Sequence, residues 1–408
     1  MQLINKVPWP RAARNDRDSL RRIRVALTAF FAMDGFIFAS WAVRIPAVKT
    51  AVGASPATLG LALLGVSAGA IATMAITGAL CRRIGSATVT VAAATWLSLA
   101  LLLPPLAHSA LTLGLGLAVF GIGYGGLNVA MNAVAVDVVK LSGRPIMPSF
   151  HAAWSFGGLA GSGLGGLLAP LLAPFPHLAI VAAAGLVATA ACGPVVHTVT
   201  RADPAAAESA APEAGTPEIA APAAGRIWGA VVLAGAIALC GSYGEGAISD
   251  WGALHLRQDL GVSAGLAAAG YATFALAEAC GRLGGSALLA RFGLTRVLVL
   301  GGLTACAGML LAALAPVFGV ALAGFALTGV GVANLFPAAM TRAGALAGAS
   351  GVAVASTLGY GGFLLGPPAI GFLASRAGLP AGLTTVSFLA IVASALAYLA
   401  RDREERKP

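Results

Sequence analysis

Asp34 lies in the middle of a long apolar run, with FFAM before it and GFIF after it, and no cation stands within a helical turn of it. A charge held in hydrocarbon costs about 2.5 kcal/mol or more, so a carboxyl kept there is a candidate for work. Such an acid can sit neutral and take up or release a proton as the water around it changes. The competing reading is a hydrogen bond to the backbone of a neighbouring helix. Glu278 and Arg282 are four residues apart, on one helical face, where each can neutralise the other. A buried pair of this kind is weak evidence for stability but a good two-state element, because a proton or an anionic solute can break it. Proton coupling is therefore assigned to Asp34, Glu278 and Arg282.

Other polar groups are set in equally apolar surroundings. Tyr124, Asn128 and Asn132 follow one another at four-residue steps, a polar stripe suited to bonding a solute or to joining helices. Trp41, Tyr271, Asn334 and Tyr360 complete the groups expected around a cavity. Tryptophans near the ends of apolar runs, Trp41, Trp154 and Trp251, also suit the membrane interface. Glu245 and Asp250 fall in the outer third of their run, and Gly244 and Gly246 loosen the helix around the first of them. We expect them at an extracellular gate, or simply as water-facing acids at a span end. His151 opens another run and is expected to cap or gate its cytoplasmic mouth.

These groups need elements that can hold them in lipid. The chain is 58% hydrophobic and 10% charged, against roughly 25% charged for a soluble domain. Its apolar runs are about twenty residues long, which fits helices crossing about 30 Å of hydrocarbon and does not fit the alternating ten-residue strands of a β-barrel. The predicted fold is an all-α polytopic membrane protein of twelve transmembrane helices in two six-helix bundles. The runs cover 23–43, 57–80, 87–107, 110–137, 150–173 and 178–199, then 227–253, 264–290, 296–316, 317–341, 350–375 and 380–400. The first bundle spans 23–200 and the second 227–400. A basic tail (1–22), a hydrophilic linker rich in Ala, Pro and Glu (201–226) and a short tail (401–408) flank them. Nearly all of the 25 Lys and Arg fall on the side that holds both termini and the linker, while the other side carries only Arg44, Lys49, Arg257 and Arg376. That bias predicts cytoplasmic termini, and it accounts for the net charge of +10 without any nucleic acid.

The halves echo each other. SerTrp at 40–41 returns as AspTrp at 250–251, GIGYGGLNVAMN as GVGVANLFPAAM, and Gly157-Gly158 as Gly361-Gly362. Internal repetition of six-helix units, with a site between them near the midplane, is transporter architecture.

ASWAVRIPA (39–47), GRPIMPSFHAAWSFGGLAG (143–161), GEGAISDWGAL (244–254), YATFALAEACGRLGG (271–285) and STLGYGGFLLGPPAIGFL (356–373) resemble the major facilitator superfamily, and within it the YbjJ-like bacterial branch. The resemblance covers nearly the whole chain. It implies a two-bundle fold, alternating access around a central cavity, and residence as a multi-pass monomer in the bacterial inner membrane. It also adds weight to Asp34, because many proton-coupled members place a carboxylate in the first helix. The superfamily's loop between spans 2 and 3 is matched at Gly78, Arg83 and Gly85, but Arg82 replaces its acid and the trailing basic pair is missing. Asp137, beside Lys140, is the candidate replacement acid, pairing with Arg82 or Arg83. The corresponding loop of the second half keeps Arg291, Gly293 and Arg296. Span 5 resembles the antiporter signature with Gly157, Gly161, Gly165 and Gly166 in place and Ser162 where proline is usual. Close packing of small residues explains that pattern nearly as well. Gating is the role expected of Arg82, Arg83, Asp137, His151, Gly161, Gly165, Glu245, Asp250 and Arg291.

The function this predicts is proton-coupled secondary transport of a small organic solute, with export by antiport favoured over import by symport and over a transport-inactive sensor. No cofactor or metal is expected: there is no G-x-x-x-x-G-K-[ST], and the five cysteines lack metal-ligand spacing. The chain offers no paired nucleophile and base, which argues against an enzyme. Its partners should be the solute, protons and the lipid bilayer.

Overall fold

The computed structural model describes residues 11–142, 146–200 and 221–400, and these are helical almost throughout. The first half contains α1 (Arg11–Ala42), the short α2 (Ile45–Ala51), α3 (Pro56–Ile84), α4 (Ser86–Ala100), α5 (Ala110–Ser142), α6 (Met147–Leu168) and α7 (Pro174–Thr200). The second half opens with α8 (Ala221–Ala247), which passes through a π-helical turn (Ile248–Gly252) into α9 (Ala253–Gln258). It continues with α10 (Ala264–Phe292), α11 (Leu294–Ala313), α12 (Phe318–Val332) and α13 (Leu335–Leu399). Among the described residues nine stretches are long and apolar enough to cross a membrane. α6 and α10, 22 and 29 residues long, have the length but carry glycines and charged or hydroxyl side chains turned toward the interior. Most of the expected linker, 201–220, lies outside the described residues, as do 1–10, 143–145 and 401–408.

α13 is an unbroken run of 65 helical residues that nevertheless folds back twice. A Cβ on Gly351 would sit 2.2 Å from the carbonyl oxygen of Ala343, although eight residues of straight helix separate their ends by about 12 Å. The second corner is Gly378, at φ +85°, which brings Gly382 against Ile370. The corners fall in the gaps that the sequence leaves between its last three runs, so α13 holds the end of the tenth run and all of the eleventh and twelfth.

The repetition is visible in the backbone. Gly53 and Gly261 adopt φ +64° and +65°, and two residues on, Ser55 and Ser263 cap the next helix by accepting from Thr58 N and Leu266 N. Gly85 and Gly293 turn the chain at φ +88° and +77° between the second and third long helices of each half. All three pairs are related by the same displacement along the chain. The halves meet through α3 against α13 and α6 against α10. Exchanging the halves turns one pairing into the other, as a two-fold pseudo-symmetric assembly requires.

Small residues let these helices approach. Along α3 and α5, Gly65 and Gly69 face Gly114 and Ala118, while Gly121 and Gly125 face Val66 and Ala70. Lipid offers no hydrophobic drive between helices, so such backbone contact supplies the packing attraction. The loops at Gly85 and Gly293 share the end where α1 begins; the loops at Gly53, Gly261 and Gly378 lie at the opposite end. At that opposite end the halves touch backbone to backbone: a Cβ on Gly60 would lie 2.4 Å from Pro367 O, and one on Gly371 would lie 2.5 Å from Pro56 O. Gly166 and Gly265 approach each other's carbonyls equally closely, at 2.9 Å from either side.

Candidate functional site

The site begins with the crossing of α1 and α6. An added Cβ would fall 1.9 Å from Ala32 O at Gly157, 2.4 Å from Phe36 O at Gly161, and 2.0 Å from Trp154 O at Gly35. Gly165 faces Val43 at 3.2 Å. The glycine pattern of span 5 is thus the seam on which α6 rides α1, and it sets Trp154 beside Asp34. Trp154 Nε1 donates to Asp34 Oδ2 at 2.9 Å. Asp34 is wholly buried, and its Oδ1 has no hydrogen-bond partner among the described residues.

The next residue of α6, Ser155, reaches the other half. Arg282 donates to Ser155 Oγ at 3.2 Å, to Glu278 Oε1 at 2.8 Å and to Glu245 Oε2 at 3.3 Å. The expected Glu278–Arg282 pair is therefore present, and Glu245 joins it. Sequence reasoning placed Glu245 at an outer gate, whereas α8 turns it inward onto the guanidinium. Neighbouring positions of one helix thus hold the two charged centres, Asp34 through Trp154 and Arg282 through Ser155.

Between the halves lies a cavity of about 60 Å³, room for a few waters in this conformation. Its wall is aromatic, with Phe38, Tyr124, Trp154, Tyr360 and Phe363, and its polar groups include Ser67, Glu245, Ser249 and Asp250. Phe38 stacks on Tyr124 at 5.3 Å and lies 6.4 Å from Trp154. Two hydrogen bonds cross the cavity from half to half: Tyr360 Oη donates to Asn128 Oδ1 at 3.1 Å, and Ser67 Oγ to Phe363 O at 3.0 Å. Asp250 reaches the wall from the π-helical turn. Such turns widen the backbone locally and recur at functional positions.

Several expected residues stand elsewhere. Trp41 is buried in the core of the first bundle, and Tyr271 is buried against Phe274 and Gly158; neither belongs to the cavity wall. Asn132 spends its amide on Asn128 O within its own helix, and Asn334, at the α12–α13 junction, donates to Gly281 O. His151 is exposed, with its ring edge-on to Phe31 at 5.4 Å. Arg82, Arg83, Asp137 and Arg291 are exposed at the end where α1 begins, and Arg291 lies over the Phe292 ring. Trp154 and Ser155 were missed as partners of the charged groups. A signal existed for the first: an indole N–H in an apolar helix must find an acceptor, and the chain has few.

Sequence and structure comparisons agree with this geometry. The family model described as Major Facilitator Superfamily matches residues 25–285 and 237–408. The chain belongs to the Major Facilitator Superfamily. It is 34% identical to an uncharacterized transporter of this type from Yersinia pestis, over 90% of this chain and 93% of that one. It is 33% identical to an uncharacterized transporter of Sinorhizobium fredii, over 91% and 96%, and 29% identical to the membrane protein MosC of Rhizobium meliloti, over 94% and 92%. Among solved structures, a D-xylose-proton symporter superposes with TM-score 0.72 at 13% identity, covering 95% of this chain and 99% of that one. The nucleoside transporter NupG (D323A mutant) gives 0.71 at 15%, over 93% and 98%. A bacterial homologue of the lysosomal transporter Spinster, inward-facing and occupied, gives 0.72 at 18%, over 92% and 95%. As a Major Facilitator Superfamily member the protein is a multi-pass membrane transporter of a small solute and not an enzyme.

Proposed function

We propose that the protein is a proton-coupled secondary transporter that moves a small organic solute by alternating access, with Asp34 as the coupling carboxyl. The observation that carries this reading is the placement of Asp34: fully buried, bonded through one oxygen to a tryptophan of the cavity wall, and unpartnered at the other. A carboxyl so held can exchange a proton as water gains or loses access to it, which links proton binding to opening of the cavity. Because Trp154 and Ser155 are adjacent, a shift of α6 that disturbs one charged centre also disturbs the other. With the termini in the cytoplasm, the backbone seal at Gly60 and Gly371 closes the periplasmic side and the solute enters or leaves toward the cytoplasm. Export by proton antiport is the direction favoured by the span 5 pattern.

The test is solute-driven proton flux in proteoliposomes loaded with a pH-sensitive dye, using a solute found by thermal-shift screening. Asp34→Asn should keep solute binding and lose the proton flux. Unchanged flux in that variant removes Asp34 from the coupling step.

A further inference from the structure

We propose that the cavity takes an organic cation, a protonated amine, with Asp250 as the carboxylate that pairs with its ammonium group and the surrounding aromatic rings as the bed for the rest of the solute. The inference rests on the transport reading and names the solute class.

The charge census favours it. Two carboxyls line the cavity, Glu245 and Asp250, and two more stand behind its wall, Asp34 bonded to Trp154 and Glu278 bonded to Arg282, against that one guanidinium and the exposed imidazole of His151. Arg282 is taken by Glu278 and Glu245. Asp250 lines the cavity and has no ion-pair partner among the described residues. A carboxyl at the edge of a low-dielectric space is either protonated or paired, and the wall supplies no cation to pair it. An anionic solute would be repelled by it when it is ionised. A neutral one would gain from it at most a hydrogen bond, whereas a cation gains the full ion pair.

The rest of the wall suits a cation as well. Phe38, Tyr124, Trp154, Tyr360 and Phe363 line it, and a cation near an aromatic face is attracted to its quadrupole in addition to the area it buries. The π-helical turn fixes which acid is used: it carries Ser249 and Asp250 into the wall, while Trp251, next along, is buried in the core. The first half's sequence echo of Asp250-Trp251 is Ser40-Trp41, where Ser40 is buried and bonded to Phe36 O, so that place offers no carboxylate.

Purified full-length protein in detergent is titrated with phenethylamine, cyclohexylamine and glucosamine and with their uncharged counterparts 2-phenylethanol, cyclohexanol and glucose, following the unfolding midpoint and tryptophan fluorescence. At least one amine should raise the midpoint where its counterpart does not. Asp250→Asn should weaken that amine by about tenfold or more, equivalent to about 1.4 kcal/mol. Asp250→Glu, which keeps the charge, should restore binding and shows that the site tolerates substitution. Equal binding of amine and counterpart, no shift with any amine, or an Asp250→Asn variant that binds the amine unchanged overturns the proposal. The transport reading fails separately. An amine that binds through Asp250 yet is not moved across proteoliposomes leaves the cation site and removes transport, whereas a neutral solute that drives flux does the reverse.

Discussion

The two halves share a backbone plan but not a chemistry. Each turns at a positive-φ glycine before a serine cap and again between its second and third long helices, and each lays its fifth long helix against the second of the other half. Yet among the described residues the first half puts a single uncompensated acid, Asp34, into its interior and bonds one of its two oxygens to an indole, whereas the second half gathers Glu245, Glu278 and Arg282 into an ion cluster and adds Asp250 at the wall. On the proposed mechanism the shared plan would serve the rocking of the halves, and the asymmetry would serve direction and coupling, since two identical halves would respond identically to a proton.

The sharpest way to break this contrast is to delete one charge from each half. Arg282→Met leaves Glu278 buried without a cation and should cost about 3 kcal/mol, the low end for breaking a buried pair because the guanidinium remains partly exposed. Asp34→Leu removes a buried carboxyl that has no cation to lose and orphans only the Trp154 indole, so it should cost about 1 kcal/mol, well below Arg282→Met, while solute-driven proton flux disappears. Thermal unfolding in detergent checks both, and a comparable loss from Asp34→Leu would mean that the halves do not differ as described.

Packing comes next. Gly157→Ala drives a methyl into Ala32 O, and Gly362→Ala drives one into Leu239 O, where the added Cβ would lie 2.3 Å away. Each should cost about 1–3 kcal/mol by overpacking, against no change for Gly163→Ala, which meets open space. A smaller and matched pair is Gly85→Ala with Gly293→Ala. A side chain at positive φ costs about 1–2 kcal/mol, and the two values should agree within about 0.5 kcal/mol if the loops are equivalent. Smallest is Tyr360→Phe, which removes the bond to Asn128 at about 1 kcal/mol and should speed hydrogen exchange along residues 354–370, because one of the ties between halves is gone.

Much of the fold was legible in the sequence because lipid imposes length and hydropathy run by run. Gly85 and Gly293 could be matched because a tight turn needs the same residue wherever it recurs. The Glu278–Arg282 pair was readable for a similar reason, its spacing being local. The pairings of Asp34 with Trp154 and of Arg282 with Ser155 were harder to read: the indole announced that it needed an acceptor, but the partners lie more than a hundred residues apart and only the crossing geometry of α6 chooses them. The glycines of span 5 carried two meanings in the sequence; Gly157, Gly161 and Gly165 pack on α1 and Gly166 packs on Gly265 of the other half, contacts compatible with either meaning. Tyr124 and Asn128 reached the cavity region while Asn132 and Asn334 were spent on nearby backbone carbonyls, a choice that residue type alone cannot make.

The closure at Gly60, Gly371 and the Gly166–Gly265 approach is made of main chain on main chain. Among the described residues this closure shows no ionic tether, so if it opens in transport its opening rate should be nearly indifferent to ionic strength even as salt alters events at the basic surface. What it cannot tolerate is bulk, because a single methyl at any of these glycines would prop it ajar.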